Sequence, residues 1–300
     1  MGRIEVCAVI VTYNPDLEVL DRLLERLVAQ VSEIVIVDNG STRDIGAWLD
    51  EKQRPGCELQ ALGVNRGIAA AQNIGIELAI KRDASYVILF DQDSLPGTDM
   101  IARLVGAAEM LLASGSKLAA VGPRYLDRRQ NNPPPFIRVR ALRVERLDCV
   151  DMTTVVEVDY LVASGCFIPT STLKVVGGMR EELFIDYVDI EWGLRARRYG
   201  FKSHGVCAAE MEHSLGEEPI VFCGRRIPVH SPLRHYYHFR NAVWLYKQKW
   251  VPVNWRMTDA FRLIRKYVFY SLFAKPRLQH AKMMSLGISH GLVSRMGKIG

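Results

Sequence analysis

The nine residues Tyr86-Val87-Ile88-Leu89-Phe90-Asp91-Gln92-Asp93-Ser94 limit what this chain can fold into more than any other stretch. Five apolar, mostly β-favouring residues run straight into two carboxylates spaced i and i+2, and Leu95-Pro96-Gly97 follows. An apolar run of this length bounded by turn residues reads as a strand buried on both faces. The carboxylates then stand where the strand leaves the sheet, the edge at which open α/β sheets bind ligands. Two acidic side chains so close repel unless a positive charge lies between them. A divalent cation carrying a diphosphate answers that need, because hard cations take carboxylate and phosphate oxygens together. A strand ending in a merely acidic turn has the same pattern, so the reading depends on the rest of the chain.

The preceding residues supply two strand–helix units. An apolar strand over residues 9–12 ends in the turn Tyr13-Asn14-Pro15-Asp16. Residues 17–28 repeat Leu20, Leu23, Leu24, Leu27 and Val28 at helical spacing. A second buried strand, residues 34–37, ends in Asp38-Asn39-Gly40-Ser41. Two such units within forty residues predict a right-handed, mostly parallel α/β sheet. A short strand over 59–62 leads through Asn65-Arg66-Gly67 into a helix over 70–80. The helix start after Gly67 can offer N–H groups to an anion, although a plain connection looks alike.

After the acidic strand, a helix over 100–113 and a strand over 118–122 are expected. Residues 124–150, with Asn131-Asn132-Pro133-Pro134-Pro135, read as a surface excursion. A strand over 155–162 leads to a tight turn, Ala163-Ser164-Gly165-Cys166, and residues 173–178 carry a helix with its glycine stop. A second acidic cluster, Asp186, Asp189 and Glu191, opens a helix running to Gly200. On that helix 186, 189 and 190 share a face and 191 is rotated off it. Acids at a helix start also simply complement its dipole. An edge strand over 203–208 and Glu212-His213-Ser214-Leu215-Gly216 follow.

With 49% hydrophobic and 24% charged residues, 300 residues suffice for one large domain plus an appendage. Cys7, Cys57, Cys149, Cys166, Cys207 and Cys223 contain no CxxC pair, so neither a zinc framework nor a disulfide scaffold is expected. No apolar signal core and no run of 18 apolar residues is found, which predicts a protein kept in a reducing cytosol. Residues 251–300 hold nine Lys/Arg against the single acid Asp259, while the first 250 sit near −2. A basic tail on a nearly neutral body suits an anionic surface, membrane or nucleic acid.

Taken together, Val9-Ile10-Val11-Thr12-Tyr13-Asn14, Asp38-Asn39-Gly40-Ser41, Asn65-Arg66-Gly67, Asp91-Gln92-Asp93, the Asp189/Glu191 cluster and His213-Ser214-Leu215-Gly216 resemble, in order and rough spacing, the GT-A glycosyltransferases of family 2. Asp-Gln-Asp-Ser and Leu-Phe-Ile-Asp-Tyr-Val-Asp look most like the bacterial L-rhamnosyltransferase branch, over residues 5–245. The resemblance implies a Rossmann-like sheet flanked by helices and an inverting, metal-dependent transfer of L-rhamnose from dTDP-β-L-rhamnose to a hydroxyl of a cell-surface glycan precursor or glycolipid. It implies that Asp38 accepts from the base N3–H, and that Thr12, Tyr13, Asn14, Asn39, Asn65, Arg66, Gly67 and Gln92 line the nucleotide site, with Arg66 pairing diphosphate oxygens. It implies Asp93 as metal ligand for Mg²⁺ or Mn²⁺, with Asp91 beside it near ribose or sugar, and His213 as a further ligand. Asp189 matches the general base, with Glu191 and Asp186 orienting acceptor or sugar. The family more often has Glu-Asp where this chain has Val188-Asp189, so the neighbouring carboxylate is missing and Asp186 is the candidate to substitute for it.

The resemblance divides the chain into a nucleotide-sugar-binding and catalytic domain, 1–215, and a helical, basic extension, 216–300. The segment Arg234-His235-Tyr236-Tyr237-His238-Phe239-Arg240-Asn241 fits two roles equally, with Arg240 closing over the diphosphate or the segment only packing. Ala260, Leu263, Ile264, Tyr267 and Val268 mark a helical face beside Arg262, Arg265 and Lys266. Such a helix suits an anionic membrane interface, which would place the protein peripherally on the inner face of the plasma membrane, and it suits capping the core or a homodimer partner. Another donor, UDP-galactofuranose or a UDP-hexose, is the nearest alternative within the family. A nucleotidyltransferase should show a Gly-rich, Lys-containing first loop, and Tyr13-Asn14-Pro15 is not one. A basic nucleic-acid-binding module leaves the acids unexplained, and the tail lacks the aromatic–basic platform of such proteins; no nucleic-acid partner is expected.

Overall fold

The protein is described by a computed structural model covering residues 4–54, 56–126, 136–140, 142–213, 220–222, 225–227 and 229–299; at 213, 220–222 and 225–227 it describes the backbone alone. The chain begins β1 (Val6–Thr12), α1 (Leu17–Val28), β2 (Glu33–Asp38), α2 (Ile45–Lys52), β3 (Cys57–Ala61), α3 (Ile68–Lys81) and β4 (Tyr86–Asp91). Every residue of β1 is buried, with Cys7, Val9 and Val11 in the core on one face and Val6, Ala8 and Ile10 in the core on the other. That is the continuous apolar strand of a sheet covered on both sides. Helix α1 begins where Asp16 accepts from the N–H groups of Glu18 and Val19, and its buried face is Leu20, Leu23, Leu24 and Leu27. Truncating one of these leucines to alanine costs about 2–5 kcal/mol. The expected boundaries of α1 are met residue for residue; α2, which has no strong apolar repeat, was not expected.

The chain continues with β5 (Ser94–Pro96), α4 (Met100–Ala113), β6 (Leu118–Leu126), β7 (Phe136–Arg140), β8 (Arg143–Leu147), β9 (Val155–Val158), β10 (Phe167–Pro169) and α5 (Thr170–Val176). A short 3-10 turn (Glu181–Leu183), α6 (Val188–Arg198) and β11 (Lys202–His213) follow, then β12 (Ile220–Phe222), β13 (Arg225–Ile227), α7 (Pro232–Tyr246), α8 (Val253–Phe273) and α9 (Arg277–Leu292). The main sheet has the order β3-β2-β1-β4-β10-β6-β11-β5, with β9 also on β11. Strands β3, β2, β1 and β4 are parallel, and β10 runs against them. The mixed, mostly parallel sheet flanked by helices is the architecture that the sequence implies. Register brings Thr12 opposite Asp38 and Val11 opposite Asp91, so three strand ends share one edge.

Several local expectations need correction. Residues 143–147 and 136–140 pair as an antiparallel hairpin within the stretch read as a surface excursion, and β6 runs on to Leu126. Residues 203–208 are not an edge strand: β11 is 12 residues long and pairs with β6, β9 and β5. The expected strand 155–162 stops at Val158. Cys149 and Cys207 form a disulfide across a sequence separation of 58, so one cross-link exists where no disulfide was expected. The pair becomes visible only once β9 has paired with β11 and carried Thr154 to the Cys207 amide. Among the described residues no helix is long and apolar enough to cross a membrane.

Candidate functional site

The ends of β1 and β2 build a polar pocket from side chains that hold one another. Asp38 Oδ1 accepts from the Thr12 hydroxyl at 2.9 Å and from the Ser41 hydroxyl, and its Oδ2 accepts from the Ser41 N–H at 2.9 Å. These bonds fix a buried carboxylate in one orientation and leave Oδ2 with a lone pair for a further donor. Asn14 Oδ1 accepts from the Thr42 N–H and hydroxyl, tying the loop after β1 to the loop after β2. Asn39 Nδ2 donates to Asn65 Oδ1 at 3.2 Å, while Asn39 Oδ1 accepts from the Arg66 N–H at 2.8 Å. Asn65 Oδ1 also accepts from the Gly67 N–H at 2.9 Å. The backbone of Tyr13 exchanges hydrogen bonds with the Gln92 side chain, which joins this pocket to the acidic strand end. Thr12, Tyr13, Asn14, Asp38, Asn39, Asn65, Arg66, Gly67 and Gln92 are therefore one connected surface.

The turn at residues 163–165 is where the acids meet. Ser164 Oγ accepts from the Asp91 N–H at 3.1 Å and lies 2.6 Å from Ser94 Oγ, so both ends of the Asp91-Gln92-Asp93 turn are fastened to it. The preceding residue, Ala163, lines the same small pocket as Asp189. Gly165 permits this turn: its φ is +73°, and a Cβ there would lie 2.6 Å from Pro123 Cγ. Asp189 sits in the first turn of α6, half-buried in a small pocket whose wall includes Leu89, Leu161, Cys166, Met179 and Trp192. Burial pushes its carboxyl up to about 6, and Asp186 and Asp91 push the same way against the Ile190 and Ala163 N–H groups. The half-buried Tyr125 phenol donates to the Ser164 carbonyl and is raised by desolvation and then by Asp91, Cys166 and Asp189. Asp91 and Asp189, 98 positions apart, thus act on each other across one cleft.

Residues 182–187 close the other side of that cleft. Phe184, Asp186 and Tyr187 all have φ near +64°, a region costing non-glycine residues on the order of 1–3 kcal/mol each. The neighbouring helix α7 holds them there. The Asn241 amide donates to the carbonyls of Leu183, Ile185 and Asp186 at 2.8–2.9 Å. Arg240, fully buried, donates to the carbonyls of Glu182 and Leu183 at 3.1 and 2.9 Å and also to that of Gly297. Its guanidinium therefore faces backbone carbonyls; of the two roles open to this segment, these contacts describe packing. Gly67 accepts the Phe184 backbone closely, since a Cβ on it would stand 2.7 Å from the Phe184 carbonyl oxygen.

Two of the expected site acids lie away from Asp189 on α6. Asp186 precedes α6 rather than sharing its face; Arg234 lies 3.4 Å away, and burial raises its carboxyl while Arg234 counters. Glu191 is fully buried and takes Arg195 in a two-pronged pair at 2.9 and 3.0 Å, with Arg195 also donating to the carbonyls of Val176 and Gly178. Glu191 therefore braces α6 against the loop behind it, away from the cleft. Sequence reasoning placed Ser164 in a turn near the site but gave no role to Ser41, Ser164, Tyr125 or Asn241. Serine after an Asx turn and Asn beside a buried Arg were the available signals.

The donor chemistry suits a hard divalent cation. Asp93 is exposed and has no ion-pair partner among the described residues, and it lies two positions from Asp91 at a ligand-binding sheet edge. The backbone of His213 is in register with Ser94, next to Asp93. Its side chain lies outside the described residues, among which no group of three metal-ligating side chains is assembled.

Comparison with known proteins gives three findings. A family model described as glycosyl transferase family 2 matches residues 7–161. The chain is 36% identical over 250 residues to a dTDP-rhamnosyl transferase, RfbF, of Shigella flexneri, covering 83% of this chain and 82% of that protein. Among solved structures, residues 1–349 of S. aureus TarS in complex with UDP-GlcNAc superimpose with a TM-score of 0.58 at 17% identity, covering 97% of this chain and 82% of that one. GalNAc-T7 with UDP, GalNAc and Mn²⁺ gives 0.59 at 14% identity, covering 97% of this chain, which spans only 56% of that structure. At these identities the structural likenesses establish the fold.

Proposed function

The chain belongs to the family 2 glycosyltransferases, and on that premise we propose that it moves L-rhamnose from dTDP-β-L-rhamnose to a hydroxyl of a cell-surface glycan precursor or glycolipid. The observation that carries this reading is the 163–165 turn, which fastens the Asp91-Gln92-Asp93 strand end through Ser164 and, at Ala163, lines the small pocket that holds Asp189. The donor sugar follows from the Shigella flexneri relative, whose name specifies dTDP-rhamnosyl transfer.

Each residue then has a task. Asp38 Oδ2 keeps a lone pair for the base N3–H of the nucleotide, its carboxylate oriented by Thr12 and Ser41. Asn39, Asn65, Arg66 and Gly67 shape the ribose and diphosphate side of the pocket. Asp93, with Asp91 and His213, would hold Mg²⁺ or Mn²⁺, which supplies Lewis-acid stabilisation of the departing diphosphate. Asp189 takes the acceptor hydroxyl proton as that oxygen attacks the anomeric carbon opposite the diphosphate, a single displacement that inverts the centre. A carboxyl raised to about 6 is a better base than an ordinary one and is still mostly ionised at neutral pH. Asp186 and the strained 184–187 segment position Asp189.

The acceptor side points to a membrane surface. Met257, Phe261, Ile264, Val268 and Leu272 form an exposed stripe along α8, each between 51% and 63% exposed. This differs from the face expected from sequence, because Leu263 is buried and Tyr267 bonds Ser285 of α9. The stripe and the basic balance of residues 251–300 suit shallow insertion among anionic lipids. We assign residues 1–215 to the nucleotide-sugar-binding and catalytic domain and 216–300 to the extension that braces it and attaches it to a surface. The test is turnover across a panel of nucleotide sugars. Hydrolysis or transfer with dTDP-rhamnose is expected; turnover of UDP-galactofuranose or a UDP-hexose with none of dTDP-rhamnose would overturn the donor assignment.

A further inference from the structure

Beyond helix α9, residues 294–299 return to the nucleotide pocket. The Gly297 N–H donates to the Glu182 carbonyl at 2.8 Å, and the buried Arg240 donates to the Gly297 carbonyl. The Ile299 N–H donates to the Tyr237 hydroxyl at 3.0 Å. Tyr237 itself stacks on Phe184, with centroids 5.0 Å apart, and carries the Arg240 guanidinium 4.9 Å over its ring. The residue between the two anchors, Lys298, is thereby fixed in place, and its Nζ donates to the Asn65 carbonyl at 3.2 Å.

That places an exposed ammonium on the Asn65-Arg66-Gly67 loop from a position 233 residues away. Its other two N–H donors point to no partner among the described residues, and neither Lys298 nor the exposed Arg66 has a carboxylate within ion-pair distance there. Two uncompensated cations therefore flank one loop of a pocket whose other wall is Asp38 and Asn39. With no counter-charge on either, an anion bound at this loop gains Coulomb attraction from both. A hydrated ammonium on a flexible stem acts on phosphate as a point charge, which suits a group reaching in from the rim.

We infer that Lys298 is a donor-binding residue that contacts the diphosphate of the bound nucleotide, opposite Arg66. The inference rests on the donor-site reading above. It also gives Arg240 a definite part: Arg240 does not touch the nucleotide but holds the backbone that presents Lys298 to it. The contact is a charge-assisted hydrogen bond and needs no proton transfer.

The test is calorimetric titration of dTDP and of thymidine, with Mg²⁺ present, into the wild type, Lys298→Ala and Lys298→Arg. Lys298→Ala should weaken dTDP about tenfold, the loss of one exposed charge-assisted contact, and leave thymidine binding and the melting temperature unchanged. Lys298→Arg should recover most of the lost affinity, because the charge is kept. Equal dTDP affinity in wild type and Lys298→Ala overturns the inference, and so does a parallel loss of thymidine binding, which would put Lys298 at the base. Failure of the wild type to bind dTDP would overturn the donor-site reading, and this inference with it.

Discussion

Asp189→Asn separates the chemistry of this site from its effect on stability. The Asp189 carboxyl is moved by burial, and secondarily by Asp186 and Asp91, from its ordinary 3.8 to about 6. A folded state that binds the proton more tightly than the unfolded chain is most stable at low pH. Its stability falls as pH rises from the unfolded value near 4 through the folded value near 6. Above pH 6 the ionised carboxylate costs the fold at most about 3 kcal/mol. Asparagine removes that charge and keeps an oxygen for the Ile190 N–H, which Asp189 Oδ1 now accepts at 2.8 Å. It also sets an NH₂ group against an apolar wall, at about 1–2 kcal/mol. The balance is a stabilisation of about 1–2 kcal/mol at pH 7.5, or about 2–4 °C in Tm for a chain of this length. At pH 4.5 the gain should vanish or reverse. Single-turnover transfer should fall by about 10² to 10⁴, with dTDP affinity unchanged. Calorimetric melting of the ligand-free protein at both pH values, beside rapid-quench transfer, is the assay. A variant that melts lower than wild type at pH 7.5, or that still transfers at near wild-type rate, would refute the reasoning.

Three further outcomes are expected. Asp93→Ala should weaken dTDP binding when Mg²⁺ or Mn²⁺ is present and leave it unchanged in chelator, read by titration calorimetry; equal weakening in both contradicts metal ligation. Glu191→Gln removes the charge of a fully buried carboxylate paired with the partly buried Arg195 and should lower stability by about 3 kcal/mol, read by chemical denaturation, with kcat of the remaining folded enzyme little changed. Phe261→Ser with Ile264→Ser, on the exposed face of α8, should reduce co-sedimentation with anionic vesicles while dTDP binding is retained; unchanged sedimentation counts against the membrane assignment.

What was legible in the sequence follows from the range of the interactions concerned. Helices α1 and α4 were read to the residue because an apolar repeat and a capping Asp or a following Gly are local signals. Strands β1, β2 and β4 were legible because burial on both faces leaves an unbroken apolar run. Thr12, Asp38 and Asp91 are the last residues of those strands, so the candidates along that sheet edge could be named as well. What escaped depends on contacts that no local pattern encodes. The Cys149–Cys207 bond spans 58 residues, and the Lys298–Asn65 contact spans 233. The resemblance makes Glu191 a site acid, but the rotation off the Asp189 face that helix geometry predicts delivers it to Arg195. The exposed stripe of α8 was misplaced because an apolar face at helical spacing does not say which side the rest of the molecule covers.

One carboxylate, Asp189, is expected to act as base across a cleft shared with Asp91, with no covalent sugar–enzyme intermediate. Proton NMR of the glycoside formed from dTDP-β-L-rhamnose reads this most directly. A product with the α anomeric configuration is the predicted result; a β-linked product, which requires retention, would contradict it.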